Sequence, residues 1–61
     1  MINSYVIAYR QRKYPPGTKV KVDDKTGVIE FVDDVGLIFI KFDDDDIVRL
    51  TTDVTKIEII D

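Results

Sequence analysis

The aspartates are the residues of this chain whose grouping could support a chemical site. They occur in three runs of adjacent residues, Asp23-Asp24, Asp33-Asp34 and Asp43 to Asp46. Grouped carboxylates can bind a hard cation such as Ca²⁺, which takes about 6–8 oxygen ligands from a wrapped loop. The runs lack the D-x-D-x-D-G spacing and the bidentate Glu of such a loop, so we predict no metal site.

Each aspartate run coincides with a predicted turn, where Asp is favoured because its carboxylate hydrogen-bonds the neighbouring backbone. In a meander of strands, alternate turns lie at the same end of the sheet, so the first and third runs are expected to lie together. We call these residues the acidic rim: Asp23, Asp24, Asp43, Asp44, Asp45 and Asp46. The acidic rim either keeps a small sheet soluble and unpaired at its edges, or it meets a basic partner surface or imitates the spaced charges of a nucleic-acid backbone.

The basic residues of the first third of the chain are the candidates for nucleic-acid binding. They are Arg10, Arg12, Lys13, Lys19 and Lys21, and no acidic residue precedes Asp23. Cations with an interleaved aromatic, here Tyr14, can neutralise phosphates and stack a base. The chain as a whole has a net charge of −3, so its acidic part opposes this role. Alternatively, the basic and acidic parts neutralise each other across the fold.

Three tyrosines form a second candidate surface. Tyr5, Tyr9 and Tyr14 are separated by four and five residues, which places them near one face of a helix. They are expected to cover an open end of the sheet. Alternatively, Tyr5 and Tyr9 bind a protein partner or a second copy of the chain, because Tyr is enriched at interfaces.

The composition argues against catalysis. The chain has no Cys and no His, which removes the thiolate nucleophile, the commonest general base and the commonest metal ligand. A chain of 61 residues also leaves little room for a desolvated cleft. We therefore predict that the protein is not an enzyme and uses no cofactor.

A short helix is predicted for residues 1–14, followed by strands. Ile2, Tyr5, Val6 and Tyr9 follow helical spacing, Asn3 or Ser4 can cap the first turn, and Pro15 stops the helix. The alternative is a strand, because the stretch Tyr5-Val6-Ile7-Ala8-Tyr9 also has strand propensity. The five predicted strands cover residues 18–22, 28–32, 37–42, 47–50 and 56–60, with a single 3₁₀ turn within 51–55.

Alternation along the strands predicts which side chains face the core. The residues expected to point inward are Val20, Val22, Ile38, Ile40, Phe42, Val48, Leu50, Ile57 and Ile59. The spacing of Ile29 and Val32 breaks the alternation and predicts a bulge or bend. A sheet this short shields its apolar face by curling, so we predict a mainly β fold, a small five-stranded SH3-like barrel over residues 15–61.

Several segments resemble a family of uncharacterised small phage and mobile-element proteins. They are Tyr14-Pro15-Pro16-Gly17-Thr18-Lys19-Val20, Gly27-Val28-Ile29, Val32-Asp33-Asp34-Val35-Gly36, Ile38, Ile40, Phe42-Asp43 and Leu50. The family pattern is Y-P-x-G-T-x-V followed by V-D-D-x-G-x-I-x-V-x-W-D-x-G. This chain has Phe42 in place of the Trp and Asp45 in place of the last Gly, which implies altered geometry in that turn because Asp adopts positive φ less readily.

The resemblance implies an SH3-like fold and an accessory role in a phage or mobile element, with no assigned activity. We therefore expect a non-catalytic protein-binding module or inhibitor that uses the acidic rim or the Tyr-bearing helix. The alternative is a weak nucleic-acid-binding module that uses the basic segment. No apolar run approaches the ~20 residues that span a bilayer, and no leader pattern is present, so we expect a cytoplasmic protein without a membrane partner. A homo-oligomer remains an open alternative.

Overall fold

The computed structural model describes residues 3–60, which form a single antiparallel sheet with one helix packed against it. Residues 1, 2 and 61, which belong to the predicted segments 1–14 and 15–61, lie outside the described residues. The elements are α1 (Ser4–Lys13), β1 (Lys19–Val22), β2 (Lys25–Val32), β3 (Ile38–Phe42), β4 (Val48–Thr51), a 3₁₀ turn (Val54–Lys56) and β5 (Ile57–Ile59). The strand order is β4-β3-β2-β1-β5. A mainly β fold with a short N-terminal helix is thus confirmed.

Helix α1 begins and ends at the predicted signals. The Asn3 side chain accepts a hydrogen bond of 3.0 Å from the backbone N–H of Val6, which satisfies one of the free donors of the first turn. Arg12 and Lys13 lie in the last turn, where positive charge favours the negative end of the helix dipole. No described residue of α1 is fully buried, so the helix lies lightly on the sheet.

Aspartate and glycine shape the first two hairpins. The β1–β2 turn is built from Asp23 and Asp24, and Asp23 adopts the left-handed conformation with φ of 58°. In the β2–β3 turn, the Asp33 carboxylate accepts a hydrogen bond of 2.8 Å from the backbone N–H of Leu37, and Gly36 has φ of 88°. The predicted Asp-Asp-Val-Gly turn is confirmed.

Strand β2 contains the predicted bulge. Ile29 pairs with Ile40 and Phe31 pairs with Phe39, so the register shifts by one residue at Glu30. This shift lets β2 bury Ile29 on the core face while Phe31 lies on the opposite face.

The core lies on one face of the sheet. Its fully buried side chains are Tyr14, Val20, Ile29, Ile38 and Ile40. Partly buried side chains pack around them: Val22, Val32, Phe42, Val54 and Ile57. The inward facing predicted for β1 and β3 is confirmed, whereas Ile59 stays 39% exposed because β5 is an edge strand.

Strand β4 faces the opposite way from the prediction. Val48 and Leu50 were expected in the core, but they pair with Lys41 and Phe39 on the solvent face of β3, and they remain 40% and 59% exposed. On the core side, β4 presents Arg49.

The sheet is open, with β4 and β5 as its two edges. Closure would bring β4 over the apolar core and place Arg49 there, where burial of a charged group costs free energy. The closed SH3-like barrel predicted from the sequence is therefore not confirmed.

Candidate functional site

The acidic rim forms at one end of the sheet, as expected from alternate turns. Thr26, at the start of β2, accepts a backbone hydrogen bond of 3.0 Å from the Asp43 N–H, and its hydroxyl donates to the Asp43 carboxylate at 2.7 Å. A shallow depression between the two turns is lined by Asp24, Lys25, Thr26, Asp43 and Asp44. Lys25 and Thr26 thus interrupt the carboxylates of the acidic rim.

Asp45 takes part in the structure of its own turn. One carboxylate oxygen accepts from the backbone N–H of Ile47 at 3.1 Å, and the other accepts from Nε of Arg49 at 2.9 Å. Both hydrogen bonds hold the pKa of Asp45 below its ordinary value, and the bond from Arg49 has the larger effect. The Lys41 ammonium also donates to the Asp45 carbonyl. Asp45 is therefore a turn-forming residue rather than an open charge.

The backbone of Asp45 differs from that expected of a turn glycine. Within residues 3–60, Asp23 is the non-glycine residue with positive φ, so Asp45 adopts no left-handed conformation. A side-chain ion pair with Arg49 stabilises this turn in place of glycine geometry.

Arg10 belongs to the contact between helix and sheet. Its guanidinium donates hydrogen bonds to the carbonyl oxygens of Gly36 at 3.0 Å and Thr52 at 3.2 Å. The neighbouring Gln11 donates to the Asp33 carbonyl at 3.2 Å. These hydrogen bonds give Arg10 a structural role in the contact between α1 and the sheet, and its role in nucleic-acid binding stays a prediction.

The remaining predicted cations divide between two places. Lys13 lies 5.5 Å from the ring centroid of Tyr9 and 5.6 Å from that of Tyr14, and Arg12 is exposed beside it on α1. A hydrogen bond with Tyr9, followed by the charge of Tyr14, raises the pKa of Lys13. Lys19 and Lys21 lie instead on the solvent face of β1. The basic segment therefore forms no single patch.

The three tyrosines do not share one role. Tyr14 is 2% exposed and belongs to the core, whereas Tyr5 is 87% and Tyr9 49% exposed. The expectation that all three cover the sheet is correct for Tyr14 and wrong for the other two. Tyr5 and Tyr9 are thus open side chains on the solvent side of α1.

An apolar row that was not predicted from the sequence crosses the solvent face of the sheet. Phe31 on β2 stacks on Phe39 of β3 with ring centroids 4.4 Å apart and an interplanar angle of 14°. Phe39 pairs in turn with Leu50 on β4. Phe31 is 46% and Leu50 59% exposed. We call Phe31, Phe39 and Leu50 the outer row.

A second row on the same face carries positive charge. Strand pairing aligns Lys19 of β1 with Val28, Val28 with Lys41 of β3, and Lys41 with Val48 of β4. On β3 and β4 the two rows lie two residues apart along each strand, which corresponds to about 7 Å. Apolar and cationic side chains thus lie side by side on the outer face.

Sequence signals for the outer row did exist. Phe39 lies between Ile38 and Ile40, which both face the core, so alternation already assigned Phe39 to the solvent face. The bulge predicted near Ile29 implied a change of facing that brings Phe31 to the same side.

Two further features bear on the kind of site. Among residues 3–60, no three acidic side chains converge closely enough to hold a metal ion. Over the same residues, no helix has the length and apolar content needed to cross a bilayer.

The chain matches no protein-family model, no curated protein and no solved structure.

Proposed function

We propose that the chain is a small non-catalytic protein-binding module whose partner docks on the outer face of the sheet. The observation that carries this proposal is the outer row, an apolar row held in place by strand pairing yet open to solvent. Single exposed apolar residues are ordinary in soluble proteins, whereas contiguous ones mark interaction surfaces.

The energetics of the outer row suit a binding surface. Burial of an exposed Phe or Leu side chain contributes roughly 1.5–3 kcal/mol. Phe31 and Leu50 can each provide a substantial part of this on contact with a partner, since about half of each side chain is exposed. A few apolar anchors of this kind, surrounded by polar groups, can contribute most of the binding free energy of a small interface.

The acidic rim and the Tyr-bearing helix have secondary roles in this proposal. The exposed Asp24, Asp44 and Asp46 lie at one end of the sheet and set the orientation of a charged partner during encounter. Tyr5 and Tyr9 provide a separate exposed surface on α1. An inhibitor that blocks its target through these surfaces is one form of the same binding function.

The biological setting belongs to the proposal as well. An accessory role in a phage or mobile element, action in the cytoplasm and an SH3-like classification are supported by the motif resemblance. The position of β5 beside β1 and the bulge in β2 are compatible with a strand arrangement of that type.

Single-stranded nucleic acid is the second candidate ligand, favoured by one observation. Lys19, Lys21 and Lys41 occupy the same face as Phe31, and cations beside aromatics are the elements of a single-strand binding surface. Such binding is expected to be weak and to fall steeply with salt concentration, because few phosphates are neutralised.

The proposal is tested by capture of partners from a host lysate with wild type and two variants. Leu50→Ser alters the outer row, whereas Val35→Ser alters an exposed apolar residue in the β2–β3 turn and serves as the control. We expect Leu50→Ser to lose a partner that Val35→Ser retains, with both variants folded. Equal capture by the two variants would contradict docking on the outer face.

A further inference from the structure

We propose that helix α1 is a releasable strap, which opens and unfolds as one unit while the five-stranded sheet stays folded. Arg10 is the residue that holds the strap closed. Three features of the structure support this: the composition of the core, the kind of bonds that hold the helix, and the anchoring of the chain directly after it.

The apolar core of the sheet is complete without α1. All its fully buried side chains, and all the partly buried ones that pack around them, belong to Tyr14 or to residues after it. Within Ser4–Lys13, by contrast, Val6, Ile7 and Arg10 are half-buried and the other residues are exposed. Release of the helix therefore removes no member of the core, so the sheet can remain folded without it.

Polar bonds to backbone carbonyl groups hold α1 on the sheet. Arg10 donates to the carbonyl oxygens of Gly36 at 3.0 Å and Thr52 at 3.2 Å. Gln11 donates to the carbonyl oxygen of Asp33 at 3.2 Å. The bonds to Thr52 and Asp33 lie at exposed positions, where water can replace the protein donor once the helix leaves.

Arg10 also bridges two segments of the sheet. Ile38 of β3 pairs with Thr51 of β4, so Gly36 and Thr52 lie at the same end of this strand pair. A single guanidinium thus holds the start of β3 and the end of β4 together. Its release frees the end of β4, the edge strand that contributes one member of the outer row.

Helix α1 is too short to remain helical after release. It has 10 residues, whereas isolated helices shorter than about 12–15 residues are marginal in water. Its first turn contains no acidic residue to favour the positive end of the helix dipole. Opening is therefore coupled to unfolding of the helix, which makes α1 one cooperative unit.

The chain is fixed to the sheet directly after α1, which sets the limit of the opening. Tyr14 is buried in the core. The Gly17 N–H donates to the Ile29 carbonyl at 2.9 Å, and the Ile29 N–H donates to the Thr18 carbonyl at 2.9 Å. These bonds hold the segment before β1 on the sheet independently of the helix, so opening stops at Tyr14.

Native-state amide hydrogen exchange of the full chain tests the proposal. The amides of residues 8–13 report on α1, and the paired amides of β2 and β3 report on the sheet. We expect the helical amides to be protected at least about tenfold less than those of the sheet and to share one protection factor. Their exchange should respond weakly to added denaturant, because opening of α1 exposes little surface.

Two substitutions separate opening of α1 from unfolding of the whole chain. Ile40→Val reduces the core, so it should speed exchange in the sheet by about two- to tenfold and leave the helical amides unchanged. Arg10→Ala should speed exchange in both sets by about five- to thirtyfold, because Arg10 stabilises only the closed state. Arg12→Ala, on the exposed side of α1, is the matched control and should change neither set.

Two results would overturn the proposal. Equal protection of helical and sheet amides, both exchanging faster in Ile40→Val, would show that α1 and the sheet unfold together. Helical amides that exchange early but at the same rate in Arg10→Ala and wild type would show that Arg10 does not hold the strap closed.

Discussion

Arg10 of α1 donates a hydrogen bond of 3.0 Å to the carbonyl oxygen of Gly36, at the turn between β2 and β3. This bond holds α1 on the sheet, which matters because no described residue of the helix is fully buried. The residue that the sequence marked as a phosphate-binding cation is thus a positioning group for α1.

Removal of this contact should loosen the helix. We expect Arg10→Ala to lower the free energy of unfolding by about 1–2 kcal/mol, because charged hydrogen bonds to two carbonyls are lost. Arg12→Ala, on the exposed side, should change it by less than about 0.5 kcal/mol. Chemical denaturation measures both values, and equal effects would show that Arg10 does not hold the helix.

The core assignment of β3 can be tested at its centre. Ile40 is 2% exposed and pairs with the buried Ile29, so Ile40→Ala should cost about 2–5 kcal/mol. Ile47→Ala, at a side chain that is 61% exposed, should have a small effect and serves as the control. A thermal melt that is unchanged by Ile40→Ala would contradict the facing of β3.

Gly27 of β2 lies too close to β3 for a side chain. A Cβ atom at this position would lie 2.6 Å from the carbonyl oxygen of Lys41 and 2.9 Å from the Cα of Phe42. Both neighbours are backbone atoms, so Gly27→Ala must displace the paired strand, and we expect a loss of about 1–3 kcal/mol. Amide hydrogen exchange along β3 would locate the disturbance, and unchanged exchange there would exclude it.

Substitution by glycine should have opposite effects on stability at the two aspartates of the first hairpin turn. Asp23 has φ of 58°, which costs less for glycine, so Asp23→Gly should raise stability by about 0.5–1 kcal/mol. Asp24 has no positive φ, and Asp24→Gly should lower stability by a similar amount because it adds freedom to the unfolded chain. If Asp23→Gly and Asp24→Gly shift the melting temperature in the same direction, this conformational difference is contradicted.

Acid should remove the contribution of Asp45. The Arg49 side chain and the Ile47 N–H lower the pKa of this carboxyl, so its stabilising effect is fully present above the unfolded pKa of about 3.9. The effect is lost as the pH falls through the lower pKa of the folded state. Asp45→Asn should therefore melt below wild type at pH 7, with the difference closing under acid conditions.

Asp44 provides the comparison for Asp45 because its side chain is exposed at the same turn. Asp44→Asn should leave stability unchanged or raise it slightly, since it removes one like charge from the acidic rim. If Asp44→Asn and Asp45→Asn behave alike across the pH range, the ion pair with Arg49 does not stabilise the turn.

Local pattern was sufficient to predict the helix, the strand positions, the Asp33 to Gly36 turn and the bulge in β2. These features depend on neighbouring residues, such as the Asn3 cap and the alternation of Ile38 and Ile40. The facing of β4 was predicted incorrectly because alternation shows that Val48 and Leu50 share a face but does not show which one. The length of the preceding turn decides this, and it pairs Leu50 with Phe39.

The functional surfaces also depend on contacts between residues that are distant in the sequence. The roles of Arg10 and Asp45 depend on carbonyl groups and side chains that only the fold brings together. The outer row could have been anticipated from Phe31 and Phe39, but its extension to Leu50 depended on the register of β4. Net charge alone could not show that Lys19 and Lys41 share a face.

Strand β1 lies between β2 and β5, so its two edges are paired at different times during synthesis. During synthesis, β1 can pair with β2 at once, but its other edge stays open until Ile57–Ile59 emerge. Lys19 and Lys21 on this strand disfavour pairing with the edges of neighbouring chains, since charged residues on an open edge oppose aggregation. The nascent protein is thereby protected during the interval in which β1 is still an edge strand.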